Sequence, residues 1–349
     1  MKIKPSAEMD SLITDVKLDC FGPITNLHWP EPGKINLIIG GNACGKTFLL
    51  KALYVMMRTI EEFQRGDERR TLAELLADKL YWTFQVERIG ELVSRGKEKR
   101  LEFSAKLGHD EFKYGFGKDT KGSISNVAYT GSKREANTVF LPAKEVLTLH
   151  RIILKSREQD KLFGFDDTYL DLARALQSPP QKGKNYAAFA EARDTLESIV
   201  GGKVDYDDAS GRWLYTRGST TFPIGTTSEG VKKIAILDTL LGNRYLTPKS
   251  VVFIDEPESA LHPAALAKFL NIVEKLSETG MQFFIASHSY YVVKGLQLIA
   301  QKNKISIPVA SFGAEGAVTF ADVKDGLPKN GIIDEAIELH RQEVELALQ

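Results

Sequence analysis

Gly40-Gly41-Asn42-Ala43-Cys44-Gly45-Lys46-Thr47 sets glycines, a lysine and a hydroxyl at the fixed positions of G-x-x-x-x-G-K-[ST]. That spacing serves phosphate chemistry. The glycines let the backbone curl until successive N–H groups face a phosphate at a helix N-terminus. Lys46 then reaches the β- and γ-phosphates of ATP, and the Thr47 hydroxyl is offered to Mg²⁺. Nucleotide contacts are expected from Gly40 through Phe48. The competing reading is a glycine-rich turn with a chance lysine. The context argues against it, because the apolar run Ile35–Ile39 precedes the loop and an amphipathic pattern follows.

Val251-Val252-Phe253-Ile254-Asp255-Glu256 reads as a buried strand that carries two carboxylates to the sheet edge where α/β folds bind ligands. Asp255 is expected to hold Mg²⁺ through water, and Glu256 to orient or deprotonate an attacking water. A second strand, Phe283–Ser287, leads to His288, which can hydrogen-bond a γ-phosphate and report its presence. Thr227-Ser228-Glu229-Gly230 opens a helix, and its hydroxyl, glycine and free N–H groups make an anion site. Ser228 is equally an ordinary N-cap, and local physics leaves the two readings open.

The elements that must position these residues are legible in outline. Ile13–Cys20 and Ile35–Ile39 read as strands. A helix beginning inside the glycine loop carries one broad apolar face through Leu49, Leu53, Met56 and Ile60. Thr71–Arg88 reads as a second helix. LEFSAKL, EFKYGF and ISNVAY read as short antiparallel strands with Gly-rich turns. Val139–Leu141 is a further strand. Glu145–Val200 is mostly helical, broken near Ser178–Lys184 by an exposed loop. Val204–Phe222 reads as a hairpin turning at Ala209-Ser210-Gly211, and a strand pair (Val309–Phe312, Val318–Val323) precedes a final helix, Ile332–Leu348. Helices alternating with buried strands imply an α/β fold with a mixed, mostly parallel sheet.

The bulk numbers narrow the partners. Lys+Arg and Asp+Glu are both 46, so bulk charge does not favour wholesale polyanion binding, although a local basic patch would escape that sum. Cys20 and Cys44 are the only cysteines, too few for a disulfide framework or a zinc site. The N-terminus lacks the apolar run of a signal peptide, and no segment approaches the roughly 20 apolar residues of a membrane span. The chain reads as cytoplasmic, with no membrane partner of its own.

In this order the motifs resemble the ATP-binding-cassette (ABC-type) P-loop ATPases, in the SMC/RecF-like branch. ITDVKLDCFGPITNLHW with INLIIGGNACGKT is similar to that branch's first strands and P-loop, Thr227–Gly230 to its short signature, FIDEPESALHP to its Walker B and D-loop, and Ser287-His288-Ser289 to its switch histidine. The chain is also similar to stand-alone bacterial ATPases of AAA-15/AAA-21 type, related to the ATPase half of overcoming-lysogenization-defect nucleases. TVFLPAKE (Thr138–Glu145) resembles the segment those proteins carry before a helical lobe. The likeness covers residues 1–57 and 200–349 well and the middle in outline.

The resemblance implies a nucleotide-binding core from 1–60 and 200–349, a helix plus antiparallel β insert at 61–142, and a helical lobe at 143–199. It implies ATP hydrolysis and a homodimer joined through the ATP sites, with Ser228 and Gly230 of one chain gripping ATP held by the other. In this family such switches serve phage defence or DNA maintenance, often with a separately encoded nuclease or toxin as effector. The signature lacks a transporter's double glycine, which argues against a transporter subunit. Ala43-Cys44 replaces the usual small pair in the P-loop, so Cys44 would make nucleotide binding sensitive to thiol oxidation. Gln85 and the Leu141–Glu145 turn compete for the Q-loop. No TOPRIM-like domain is expected after the last helix. The alternative is a DNA-repair clamp that binds DNA directly, for which Arg95, Lys97, Lys99 and Arg100 form a candidate surface or a merely solvated turn.

Overall fold

The computed structural model describes residues 12–95, 100–179, 185–313 and 317–348. Its first half comprises β1 (Ile13–Phe21), β2 (Ile24–Pro30), β3 (Ile35–Gly40), α1 (Lys46–Glu62), α2 (Leu72–Phe84), β4 (Leu101–Leu107), β5 (Asp110–Phe116), β6 (Asn126–Tyr129) and β7 (Val139–Leu141). The second half begins with α3 (His150–Leu154), α4 (Asp167–Leu176), α5 (Ala187–Val200), β8 (Lys203–Asp207), β9 (Arg212–Arg217), β10 (Thr220–Pro223) and α6 (Glu229–Gly242). It ends with β11 (Val251–Asp255), α7 (Pro263–Glu278), β12 (Gln282–Ser287), α8 (Tyr290–Asn303), β13 (Pro308–Phe312), β14 (Val318–Asp322) and α9 (Gly331–Ala347).

The main sheet runs β14-β13-β3-β12-β11-β7, parallel throughout except for β14 at one edge. This is the mixed, mostly parallel sheet that the alternation of helices and strands implied. Its central strands are buried on both faces, as parallel strands must be when cover lies on each side. Leu37, Ile39, Val252, Ile254, Phe283 and Ile285 face one core, built with α4 to α8. Ile38, Phe253, Phe284 and Ala286 face the other, filled by α1 and by an antiparallel sheet in the order β2-β1-β4-β5-β6. No helix among the described residues is long and apolar enough to cross a membrane.

The structure departs from the sequence reading at four places. The α1 helix has no single apolar face. It lies between two sheets and is buried nearly all round, including Lys46, Arg58, Thr59 and Glu61. β2 is a full strand paired to β1, not anticipated because Gly22-Pro23 separates it by the tightest of turns. The Val204–Phe222 hairpin is three strands, β8, β9 and β10, because Gly218 turns the chain once more at positive φ. The second helix stops at Phe84, four residues early, where Gln85 takes a left-handed conformation (φ 53). Residues 180–184, in the expected loop, and Lys97 and Lys99 of the candidate basic run lie outside the described residues.

Burying charge on α1 demands partners. Arg58 donates to Glu61 (3.1 Å), Glu62 (2.8 Å) and Asp171 (3.1 Å), and Lys79 of α2 lies 2.9 Å from Glu62 and 3.3 Å from Asp171. The Tyr54 hydroxyl donates to Asp171 at 2.7 Å. Asp171 of α4 thus pins α1 and α2. Burial alone would raise its carboxyl, but Lys79, Arg58 and Tyr54 outweigh that and hold it well below the usual carboxylate range. A carboxyl held low stabilises the fold above its unfolded pKa, about 3.9, and that contribution fades as the pH falls below this value. Asp171→Ala leaves Arg58 and Lys79 undercompensated and should cost about 3–5 kcal/mol at neutral pH. Urea unfolding measures this, and a loss under about 1 kcal/mol would show that the network contributes little.

Candidate functional site

The P-loop turns from β3 into α1 at the C-terminal edge of the sheet. Gly40 (φ 153) and Gly45 (φ 110) adopt backbone conformations that favour glycine. A Cβ on Gly40 would come within 2.8 Å of both the Cys44 thiol and the Phe312 carbonyl. Ala43 sits at φ 59 without that freedom, so the departure Ala43-Cys44 carries backbone strain. Lys46 is 7% exposed and folds its ammonium over the loop, donating to the carbonyls of Gly40 (2.9 Å) and Gly41 (2.6 Å). The cleft above holds about 420 Å³ and is lined by Asn42–Phe48 together with Pro23, Lys51, Phe84 and Glu256. Phe48 packs its ring on Phe21 (5.1 Å) and Phe84 (4.6 Å). Cys44 lines this cleft half-buried, with its sulfur 3.9 Å from the Lys46 ammonium.

Neighbouring strand order brings the acids to this loop. β12 lies between β3 and β11, so Asp255 ends its strand beside the start of α1. The Thr47 hydroxyl donates to Asp255 at 2.9 and 3.1 Å. Burial raises the Asp255 carboxyl, the Thr47 hydrogen bond opposes that, and the charge of Glu256 adds to it. The Thr47–Asp255 spacing fits adjacent corners of an octahedron with bonds of about 2.1 Å, the geometry Mg²⁺ demands. Among the described residues no cluster of three or more His, Cys, Asp or Glu could hold a metal alone. Any Mg²⁺ here would therefore share its shell with phosphate oxygens and water.

Glu256 follows at φ 47, an uncommon conformation for a non-glycine residue, held by its N–H on the Ala286 carbonyl (2.9 Å). Its carboxylate lies 3.1 Å from His288 Nδ1. Two residues that sequence reasoning passed over complete this corner. Glu258 accepts from the Ser287 hydroxyl (2.8 Å) and the His288 N–H (3.1 Å), so it holds the turn carrying His288. Lys233 of α6 donates to the Glu256 carbonyl (2.5 Å) and the Ser259 hydroxyl (2.8 Å). Burial pulls its ammonium down to about 8 against the charges of Glu258, Asp255 and Glu256. Glu258 could have been suspected as a third acid two positions after Glu256; nothing local singles out Lys233.

Ser228 and Gly230 are not brought to this loop. Ser228 is exposed and caps α6, accepting from the Val231 N–H at 3.4 Å. A Cβ on Gly230 would sit 2.8 Å from the Ala260 carbonyl, so glycine is needed there for close approach. The adjacent cleft, about 340 Å³, is lined by Glu145, Glu229, Lys233 and Ala260 and shares no residue with the P-loop cleft. The Q-loop alternatives stay open: Gln85 caps α2 next to Phe84 of the P-loop cleft, while the Ala143 carbonyl accepts from Ser259 at 2.9 Å.

Solved structures share this fold. The SmcHead bound to the C-winged helix domain of ScpA superposes with a TM-score of 0.52 at 14% identity, over 89% of this chain and 97% of that one. An Smc head domain with an extended coiled coil, bound to the C-terminal domain of ScpA and derived from Pyrococcus furiosus, gives 0.50 at 12%, over 95% and 98%. The recombination mediator protein RecF-ATPrS gives 0.46 at 14%, over 88% and 98%. With its nucleotide loop and sheet order, the chain has the P-loop, ABC-type fold of these Smc heads. Residues 35–294 match, and the chain belongs to, the family described as "AAA domain, putative AbiEii toxin, Type IV TA system". Among curated proteins none matches it.

Proposed function

We propose that this protein is an ATP-hydrolysing switch whose two copies close head-to-tail around two ATP molecules and so control a separately encoded effector, a nuclease or toxin, in phage defence. The observation that carries the reading is the split site. Lys46, Thr47 and Glu256 line one cleft, while of the Ser228–Gly230 helix start none lines that cleft and Glu229 lines another. A second chain related by a two-fold axis would supply the missing half. The family's description points to a toxin–antitoxin setting, and the two Smc heads each carry a bound ScpA domain, which supports a partner protein here.

In this reading Lys46 and the loop N–H groups hold the β- and γ-phosphates. Mg²⁺, with Thr47 and Asp255 as its protein partners, supplies charge neutralisation on the phosphates. Glu256 orients the attacking water and takes its proton, and His288, fixed through Glu256 and Glu258, touches the γ-phosphate. Phe84, Phe48 and Pro23 offer apolar surface to the base.

The test is steady-state ATP turnover with Mg²⁺, repeated with duplex DNA and with the protein that co-purifies from the native host. Turnover that exceeds the Glu256→Gln background and responds to the co-purified protein is expected. Turnover no greater than that background would remove hydrolysis from the assignment. A response to DNA alone would reassign the protein as a DNA clamp.

A further inference from the structure

The carboxylate assigned to the attacking water stands on a backbone that does not hold itself. Glu256 sits at φ 47, where the Cβ of a non-glycine residue is crowded. Such a conformation persists only when the surroundings fix it. One side is fixed by a continuation of the β11–β12 pairing, because the Glu256 N–H donates to the Ala286 carbonyl at 2.9 Å. The Glu256 carbonyl is held by three other donors. These are the Ser259 N–H (3.0 Å), the Ser259 hydroxyl (2.8 Å) and the Lys233 ammonium (2.5 Å).

Lys233 alone of these comes from a distant segment. It reaches over from α6, the helix that Ser228 caps, and is 7% exposed. Its hydrogen bonds go to the Glu256 carbonyl and to the Ser259 hydroxyl at 2.8 Å. Asp255, Glu256 and Glu258 all attract its charge, yet it forms no ion pair with any described residue. A buried cation is costly without partners, and here its charge is directed at one backbone carbonyl and one hydroxyl. The Ser259 hydroxyl has a single proton and two acceptors in reach, the Glu256 carbonyl and the Ala143 carbonyl at 2.9 Å, so it serves one at a time. The ammonium has three protons and makes no such choice. A charge-assisted hydrogen bond is also about twice as strong as a neutral one, which makes Lys233 the strongest tie on this carbonyl.

We propose that Lys233 is a positioning residue for hydrolysis: its ammonium holds the Glu256 backbone in the left-handed conformation that aims the carboxylate at the attacking water. The role rests on the ATPase reading, in which Glu256 takes the water's proton. The Glu256 carboxylate lies 3.1 Å from His288 Nδ1, so a turn of the backbone at Glu256 withdraws it from both His288 and the cleft. A misplacement of about 1 Å in a reacting group costs on the order of 10²-fold in rate. Lys233 does not line the P-loop cleft, and Lys46 and Thr47 hold their places without it. ATP binding is therefore independent of Lys233, and the chemical step is not.

The experiment measures kcat with Mg²⁺ and the dissociation constant for ATP in wild type, Lys233→Met and Ser259→Ala, with thermal midpoints as the check on folding. Lys233→Met keeps the apolar stem and deletes the ammonium. Its kcat should fall about tenfold or more, the scale of one charge-assisted hydrogen bond, at unchanged ATP affinity. Placed in the Glu256→Gln protein, Lys233→Met should reduce turnover no further, because the carboxylate it positions is already gone. Ser259→Ala deletes a neutral partner of the same carbonyl and should lower kcat about threefold, again at unchanged affinity. A folded Lys233→Met protein with wild-type kcat overturns the proposal. So does an equal further loss in the Glu256→Gln protein, or a fall in ATP affinity that accounts for the lost turnover. If Lys233→Met does not fold, an unaltered kcat in Ser259→Ala overturns it instead. Wild-type turnover no greater than that of Glu256→Gln is a separate failure, which removes the ATPase reading and this role with it.

Discussion

Lys46→Ala is expected to abolish ATP binding. The Lys46 ammonium is nearly buried, folded over the loop within 2.9 Å of the Gly40 carbonyl and 2.6 Å of the Gly41 carbonyl, at the floor of the P-loop cleft. Incoming phosphate oxygens offer that ammonium stronger, charged partners than two carbonyls. Hydrogen bonds to charged groups contribute about 1.5–3 kcal/mol each, so losing two should weaken ATP by a hundredfold or more. The fold should survive, since alanine is the best helix former at the first position of α1. Equilibrium titration with ATP and Mg²⁺ decides the matter. An unchanged dissociation constant in a folded Lys46→Ala protein would mean that the loop does not hold the phosphates.

Glu256→Gln should trap the protein as an ATP-bound dimer. The amide keeps the shape of the side chain at the edge of the cleft but is a poor base, which costs about 10²–10⁴ in rate when a general base is lost. Binding should persist, because Lys46, Thr47 and the loop are untouched. If Ser228 and Gly230 close over ATP held by a second chain, the stalled state accumulates with doubled mass. Ser228→Arg in the same protein should then prevent it, because a long cation would occupy the contact. Ser228 is exposed and its cap is weak, so its loss costs only about 1 kcal/mol and leaves the monomer folded. Light scattering with ATP and Mg²⁺ separates the outcomes. Equal masses for Glu256→Gln with and without Ser228→Arg would end the composite-site mechanism, whatever the protein's ATP turnover.

Both experiments rest on residues that can be read from the chain, because their chemistry is local. A P-loop is eight consecutive residues, and its curl depends on glycines at Gly40 and Gly45 whose positive φ the spacing already demands. Asp255 and His288 each sit at the end of a short continuous apolar run, and such a run bounded by polar residues suffices to mark a strand buried on both faces. What the run does not encode is which strand lies beside which. β3 pairs with β12 and β13, more than 240 residues further on, and only that order puts Asp255 on Thr47 and Glu256 on His288. The same holds for α1, whose pattern promised one apolar face. It became buried all round when two sheets closed on it, and its charges found Lys79 and Asp171 from helices elsewhere in the chain. Lys233 and Glu258 gained their places at the Glu256 corner by the same packing. Contiguous backbone carries a motif's geometry, whereas a contact between distant segments exists only once the core has chosen its strand order. Sequence alone thus determined the phosphate loop, the acids at the strand end and the α/β class. The tertiary structure decided how they meet, and it kept Ser228 and Gly230 out of the lining of their own chain's P-loop cleft.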